Sequence, residues 1–242
     1  MKRLHLTKKD ALYLIVIGVL ILALVAALVL PPIIRRRQEA AYSYYDTKCN
    51  SFAVQNANLS RGQIVFIGDS ITDLYPLDEY YADLPLATYN RGIGGDTTEG
   101  VLKRLKLSLF ELQPKKIVLM IGANDINGNR SEEEILKNYR AILEQIKENL
   151  PEAEVICVSI LPFNKDLESF TTIDVDNSRA AVLKINPKLN TLVGEVGYTF
   201  VNAYPSFADG NDYLYRHLSP DGIHLNNAGY EVYSEILKPY LK

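Results

Sequence analysis

The chain has 242 residues, 48% of them apolar, with 14 Gly, 11 Pro and a net charge of −3, a composition that excludes a disordered or collagen-like polymer. Residues 1–37 hold seven of the 26 basic side chains and one of the 29 acidic ones. The remainder is therefore strongly acidic and lacks the clustered cations that binding nucleic-acid phosphate requires.

Residues 1–10 form a basic flank that includes His5. Residues 11–30 carry no charged or strongly polar side chain, and as a helix they would cover about 30 Å, the thickness of a bilayer's hydrocarbon core. Pro31 and Pro32 are expected to stop that helix. The run is longer than the h-region of about 7 to 15 residues in a cleaved signal peptide. Residues 11–34 accordingly read as one N-terminal transmembrane helix, an uncleaved signal anchor. Residues 35–60, with Tyr42, Tyr44, Tyr45 and Phe52 among polar neighbours, read as a juxtamembrane helix or spacer.

From Gln63 onward, short β-rich runs alternate with longer helical patterns, which places one domain over residues 61–242. Residues 64–67, 86–89, 117–121, 155–161 and 199–201 are the expected strands, and their near-continuous apolar character suits a parallel sheet buried on both faces. Cys157 lies in one of these runs and reads as a small core residue. With Cys49 as its only companion, it cannot build a disulfide framework or a four-cysteine zinc site. Asp96 followed by Glu99 is a helix-capping signal ahead of Val101, Leu102, Leu105, Leu109 and Leu112. Ser131 with Glu134 repeats the device before a second apolar face from Ile135 to Ile146. A third helical region covers residues 176–196, with a break expected at Pro187, and a last helix covers 227–241. The βαβαβαβαβα pattern predicts an α/β fold with a doubly wound, flavodoxin-like, five-stranded parallel sheet, in which ligands gather at the carboxyl ends of the strands.

Those ends carry the chemistry. The first strand runs into Gly68-Asp69-Ser70-Ile71, a strand-to-helix turn that can expose a hydroxyl; alone, the motif reads as an ordinary helix cap. The second runs into Asn90-Arg91-Gly92-Ile93-Gly94-Gly95-Asp96, whose glycines admit close backbone approach but lack the Lys of a phosphate-binding loop. The third runs into Gly122-Ala123-Asn124-Asp125, which offers a side-chain amide donor. Near the C-terminus, Ser219-Pro220-Asp221-Gly222-Ile223-His224 puts a carboxylate three residues before an imidazole. Together the four segments supply a hydroxyl nucleophile, a base with its orienting carboxylate, and oxyanion donors.

In these four blocks, in this order, the chain resembles the GDSL or SGNH hydrolases, over residues 63–242. The loop from Asn90 to Thr98 is similar to that of the platelet-activating-factor acetylhydrolase catalytic subunits. The resemblance implies the three-layer α/β/α SGNH hydrolase fold. It implies Ser70 as nucleophile, His224 as base and then acid, and Asp221 as its orienting partner. It implies an oxyanion hole from the Gly95 and Ser70 N–H groups and the Asn124 side chain, with Asp69 structural. Ile71 stands where the family name has Leu, and Ala123 where Thr is common; neither position holds a reacting group.

The reading that follows is a membrane-anchored serine esterase for short acyl, chiefly acetyl, esters, with a small ester or an acylated carbohydrate or cell-wall polymer as substrate. It needs no cofactor or metal, and no nucleic acid is a partner. Four basic residues before the apolar span and three after it favour the inward N-terminus only slightly; a folded hydrolase behind one span is most simply extracytoplasmic. A lysophospholipase, an O-acyltransferase and an inactive surface-binding module are the alternatives. His217 reads as a surface histidine, and Tyr213 and Tyr215 as packing or sugar-stacking residues. The short polar strand-end loops contain no apolar lid, and Leu161, Pro162 and Phe163 are expected to line a shallow acyl pocket.

Overall fold

The computed structural model describes residues 8–165 and 174–242; residues 1–7, His5 among them, and 166–173 lie outside the described residues. Helix α1 (Lys8–Asn56) continues through Pro31 and Pro32, so the stop expected there does not occur. Proline's fixed φ of about −65° is itself compatible with helical backbone. The side chains at 11, 12, 25, 26, 29–31, 33 and 34 also lie outside the described residues. Among the described residues no helix is long and apolar enough to cross a membrane, so the transmembrane assignment of 11–34 gains no support from the fold. The chain divides into two compact units, Met1–Thr47 and Lys48–Lys242. The last turns of α1 thus belong to the larger unit, where Phe52 is buried.

That unit is built on five strands, β1 (Ile64–Gly68), β2 (Thr88–Gly92), β3 (Lys116–Met120), β4 (Glu154–Val158) and β5 (Thr199–Val201). All pair in parallel in the order β2-β1-β3-β4-β5, the flavodoxin-like arrangement. Gly68 is level with Gly92 on one side and with Met120 on the other, so three strand-end loops emerge side by side. The connections carry α2 (Ser70–Asp73), α3 (Leu77–Tyr81), α4 (Thr98–Lys103), α5 (Ala123–Asn127), α6 (Glu132–Asn149), α7 (Val175–Val196), α8 (Tyr204–Phe207) and α9 (Asn227–Leu241). One face of the sheet buries Val65, Ile67, Ile117 and Cys157 against Val101, Tyr139, Ile142 and Leu189 of α4, α6 and α7. The other buries Ile64, Phe66 and Val118 against Ile71, Leu77, Phe207 and Leu237. Helices on both faces make the expected three layers.

Four local expectations are corrected. Strand β2 begins later than residue 86 and takes in Asn90, Arg91 and Gly92, because as an edge strand it carries a buried cation where an apolar signal was sought. The Arg91 guanidinium lies 4.6 Å from the Phe52 ring and donates to Gln55 and Asn56. Strand β4 ends at Val158; the apolar residues after it stay buried in a non-strand segment whose Ile160 backbone is held by the Asn186 amide. That anchor sits one residue before Pro187, and α7 runs through the proline unbroken. The cap of α4 is Thr97, whose hydroxyl accepts from Gly100 N–H, and not Asp96. Ser131 caps α6 as expected.

Candidate active site

The turn that carries Ser70 is dictated by crowding. A Cβ on Gly68 would lie 2.2 Å from the Met120 carbonyl oxygen, so only glycine lets β1 end this close to β3. Asp69 then caps α2 by accepting from Ile71 N–H at 3.1 Å, and its side chain is buried. Burial raises the Asp69 carboxyl to about 7, against the pull of that hydrogen bond. The structural duty expected of Asp69 is this cap. Ser70 follows as the first residue of α2 and is only half-buried.

The imidazole arrives on a folded loop. Ser219 Oγ accepts from Gly222 N–H at 2.8 Å, and Asp221 Oδ1 accepts from Ile223 and His224 N–H at 3.0 and 2.8 Å. Gly222 has φ +89°, and a Cβ there would meet the Asn164 carbonyl oxygen at 2.3 Å. Asp221 Oδ2 lies 2.6 Å from His224 Nδ1, and His224 Nε2 lies 2.9 Å from Ser70 Oγ. An ionised carboxylate only accepts, which puts the ring proton on Nδ1 and leaves Nε2 to accept from the serine hydroxyl. Burial works to raise the Asp221 carboxyl, but the ring and backbone N–H groups outweigh it and hold the group below its ordinary range.

Gly95 has φ +78° in a turn closed by Asp96 N–H donating to Ile93 O at 3.1 Å. Asn124, in the first turn of α5, donates through Nδ2 to the Asp96 carbonyl at 2.9 Å, which leaves its second N–H for a ligand. Three groups that the sequence reading overlooked hold this loop. Asp73 Oδ2 accepts from Gly94 N–H at 2.9 Å, while its Oδ1 pairs with Lys48 at 2.6 Å. Asp125 accepts from Thr98 N–H and Oγ–H, and burial raises its carboxyl. Arg104 pairs with Asp96 at 2.8 Å in full burial. The signal for Arg104 was present: with Ser108 it falls at i, i+4 on the same face as Val101 and Leu105.

A small apolar pocket with a cavity volume of about 10 Å³ is lined by Asp69, Ile71, Met120, Ile160, Leu161, Pro162 and Ile223. It lies among the chain neighbours of Ser70 and His224. Leu161 and Pro162 line it as expected, whereas Phe163 does not and is buried in the core. A larger cleft beside Lys116, Glu154 and Thr199 opens at the amino ends of the strands and contains none of these groups. His217 is exposed, its ring 5.3 Å from that of Tyr215. Tyr213 hydrogen-bonds Asp176, with Lys165 and Arg179 each 4.9 Å from its ring. Among the described residues no group of three His, Cys, Asp or Glu side chains is placed to hold a metal ion.

Residues 66–232 match the GDSL-like lipase/acylhydrolase family. The platelet-activating factor acetylhydrolase IB subunit alpha1 of Bos taurus is 30% identical over 172 residues, covering 69% of this chain and 70% of its own length. The alpha2 subunit of Rattus norvegicus is 34% identical over 182 residues, covering 73% of each chain. A Streptococcus pneumonia protein provisionally described as a platelet activating factor superposes with a TM-score of 0.82 at 28% identity, over 88% of this chain and 99% of its own.

Proposed function

From the premise that the chain belongs to the GDSL-like lipase/acylhydrolase family and is an ester-hydrolysing enzyme, we propose that it is a serine esterase for short acyl groups, acetyl foremost. The observation that carries the reading is the relay Ser70 Oγ–His224 Nε2 at 2.9 Å and His224 Nδ1–Asp221 Oδ2 at 2.6 Å. His224 takes the serine proton as Oγ attacks the ester carbonyl, then returns it to the leaving alkoxide. Asp221 keeps the ring in the accepting tautomer and stabilises the imidazolium. The Gly95 and Ser70 N–H groups and the spare Asn124 N–H receive the oxyanion; one such donor contributes about 10²- to 10³-fold in kcat. Water then repeats the sequence on the acyl-enzyme.

The small size of the apolar pocket supports the short-acyl reading, since burying each further CH₂ gains about 0.8 kcal/mol only where apolar surface can receive it. The substrate is then a small ester or an acetylated carbohydrate. A membrane-tethered, extracytoplasmic location is proposed on the N-terminal helix, where Tyr13, Leu14, Ile15, Leu20, Leu22 and Leu28 are all more than half exposed. Apolar side chains exposed around a helix need lipid or protein to cover them. That feature also favours the second reading, a lysophospholipase. The test is labelling by a fluorophosphonate, read by mass spectrometry, with acetate and octanoate esters compared. Label absent from Ser70 ends the serine reading, and preference for octanoate ends the short-acyl one.

A further inference from the structure

Arg104, at the C-terminal cap of α4, is 3% exposed and makes four hydrogen bonds. Nε donates to Asp96 Oδ2 at 2.8 Å, Nη1 to the Arg91 carbonyl at 2.7 Å and to Ser108 Oγ at 2.9 Å, and Nη2 to the Gly68 carbonyl at 3.0 Å. Gly68 ends β1 two residues before Ser70, Arg91 lies at the end of β2, and Asp96 follows Gly95. The Asp96 carbonyl in turn accepts from the Asn124 amide at 2.9 Å. One planar guanidinium therefore spans the strand that leads to Ser70 and the loop that carries one assigned oxyanion donor, Gly95 N–H, and hydrogen-bonds a second, the Asn124 amide.

We propose that Arg104 is a positioning residue for ester hydrolysis: through Asp96 it fixes the Gly95 N–H and the Asn124 amide at the distance from Ser70 that the tetrahedral oxyanion requires. The proposal rests on the serine-esterase reading above. Misplacing preorganised donors weakens the transition state and spares the ground state, so the loss appears in kcat and not in KM. A lysine keeps the charge but offers its donors from one nitrogen, and it cannot reproduce the fork that reaches Gly68, Arg91 and Asp96 together.

The experiment uses the full chain with Arg104→Lys, Asp96→Asn and Asn124→Ala, and the Arg104→Lys/Asn124→Ala double variant. Folding is read by circular dichroism, and kcat and KM are measured on p-nitrophenyl acetate. The expected result is a loss of about 10- to 100-fold in kcat for Arg104→Lys and Asp96→Asn, with KM within about threefold. The double variant should fall below Asn124→Ala by clearly less than Arg104→Lys falls below the parent, because the share of the loss that runs through Asn124 is already taken. A folded Arg104→Lys with kcat within about twofold of the parent overturns the proposal. Losses that simply multiply in the double variant overturn it too, as does failure of both Arg104→Lys and Asp96→Asn to fold, which assigns the pair to stability alone. Undiminished turnover by Ser70→Ala in the same assay would sink the serine reading itself, and the proposal with it.

Discussion

Replacing Asp221 by Asn changes one atom of the side chain and leaves its volume almost unaltered, yet it reverses a hydrogen bond. The carboxylate accepts three N–H groups: the His224 ring at 2.6 Å and the backbone of His224 and Ile223 at 2.8 and 3.0 Å. An amide has one accepting oxygen, and the two backbone donors claim it. Its NH₂ group then faces Nδ1, which must lose its proton and pass it to Nε2. In that tautomer Nε2 points a hydrogen at Ser70 Oγ, 2.9 Å away, and cannot take the serine proton. The loss should approach about 10⁴-fold in kcat, or about 5 kcal/mol at 1.36 kcal/mol per factor of ten. The backbone bonds that shape the loop survive, so the melting temperature should move little. The assay is kcat on p-nitrophenyl acetate at neutral pH, with the rate of fluorophosphonate labelling at Ser70 followed in parallel. A folded Asp221→Asn enzyme within tenfold of the parent would refute the tautomer argument.

Three further outcomes are expected. Asp69 titrates near 7 in the folded chain against an ordinary 3.8, so the folded state binds the extra proton and stability falls as pH rises between those values. Asp69→Asn, which keeps the cap, should therefore gain stability over the parent from pH 4 to pH 8, by at most about 4 kcal/mol, in urea titrations at the two pH values; a pH-independent difference contradicts this. Phe52 is 2% exposed beneath Arg91, so Phe52→Ala should cost about 3 to 5 kcal/mol, and a fragment beginning at residue 61 should be much less stable than one beginning at residue 48; equal melting temperatures for the two fragments would show that the end of α1 contributes nothing. Along a series of p-nitrophenyl esters, kcat/KM should be highest at acetate to butyrate, and a maximum at octanoate or beyond would show that the apolar pocket does not bound the acyl chain.

The sequence alone determined the fold class and which side chains stand at the strand ends, because both are written in local patterns. Continuous apolar runs separated by capped amphipathic segments specify a parallel α/β sheet, and Ser70, Asn124, Asp221 and His224 each stand in a short block beside residues that constrain the turn. Local patterns misled where long-range contacts compensate for a residue's propensity. Arg91 enters an edge strand because Phe52, Gln55 and Asn56 of α1 receive its side chain, and Pro187 stays inside α7 where Asn186 ties the helix to Ile160. Only the tertiary structure decided how the groups meet. Ser70 and His224 are 154 positions apart, and their 2.9 Å contact follows from the sheet order and from the clasp of Asn164 on Gly222. Two supports of the Gly94-Gly95-Asp96 loop were invisible for the same reason. Asp73 and Lys48 look like surface charges in a linear reading, and they acquire their roles when the fold brings them to each other and to the Gly94 N–H.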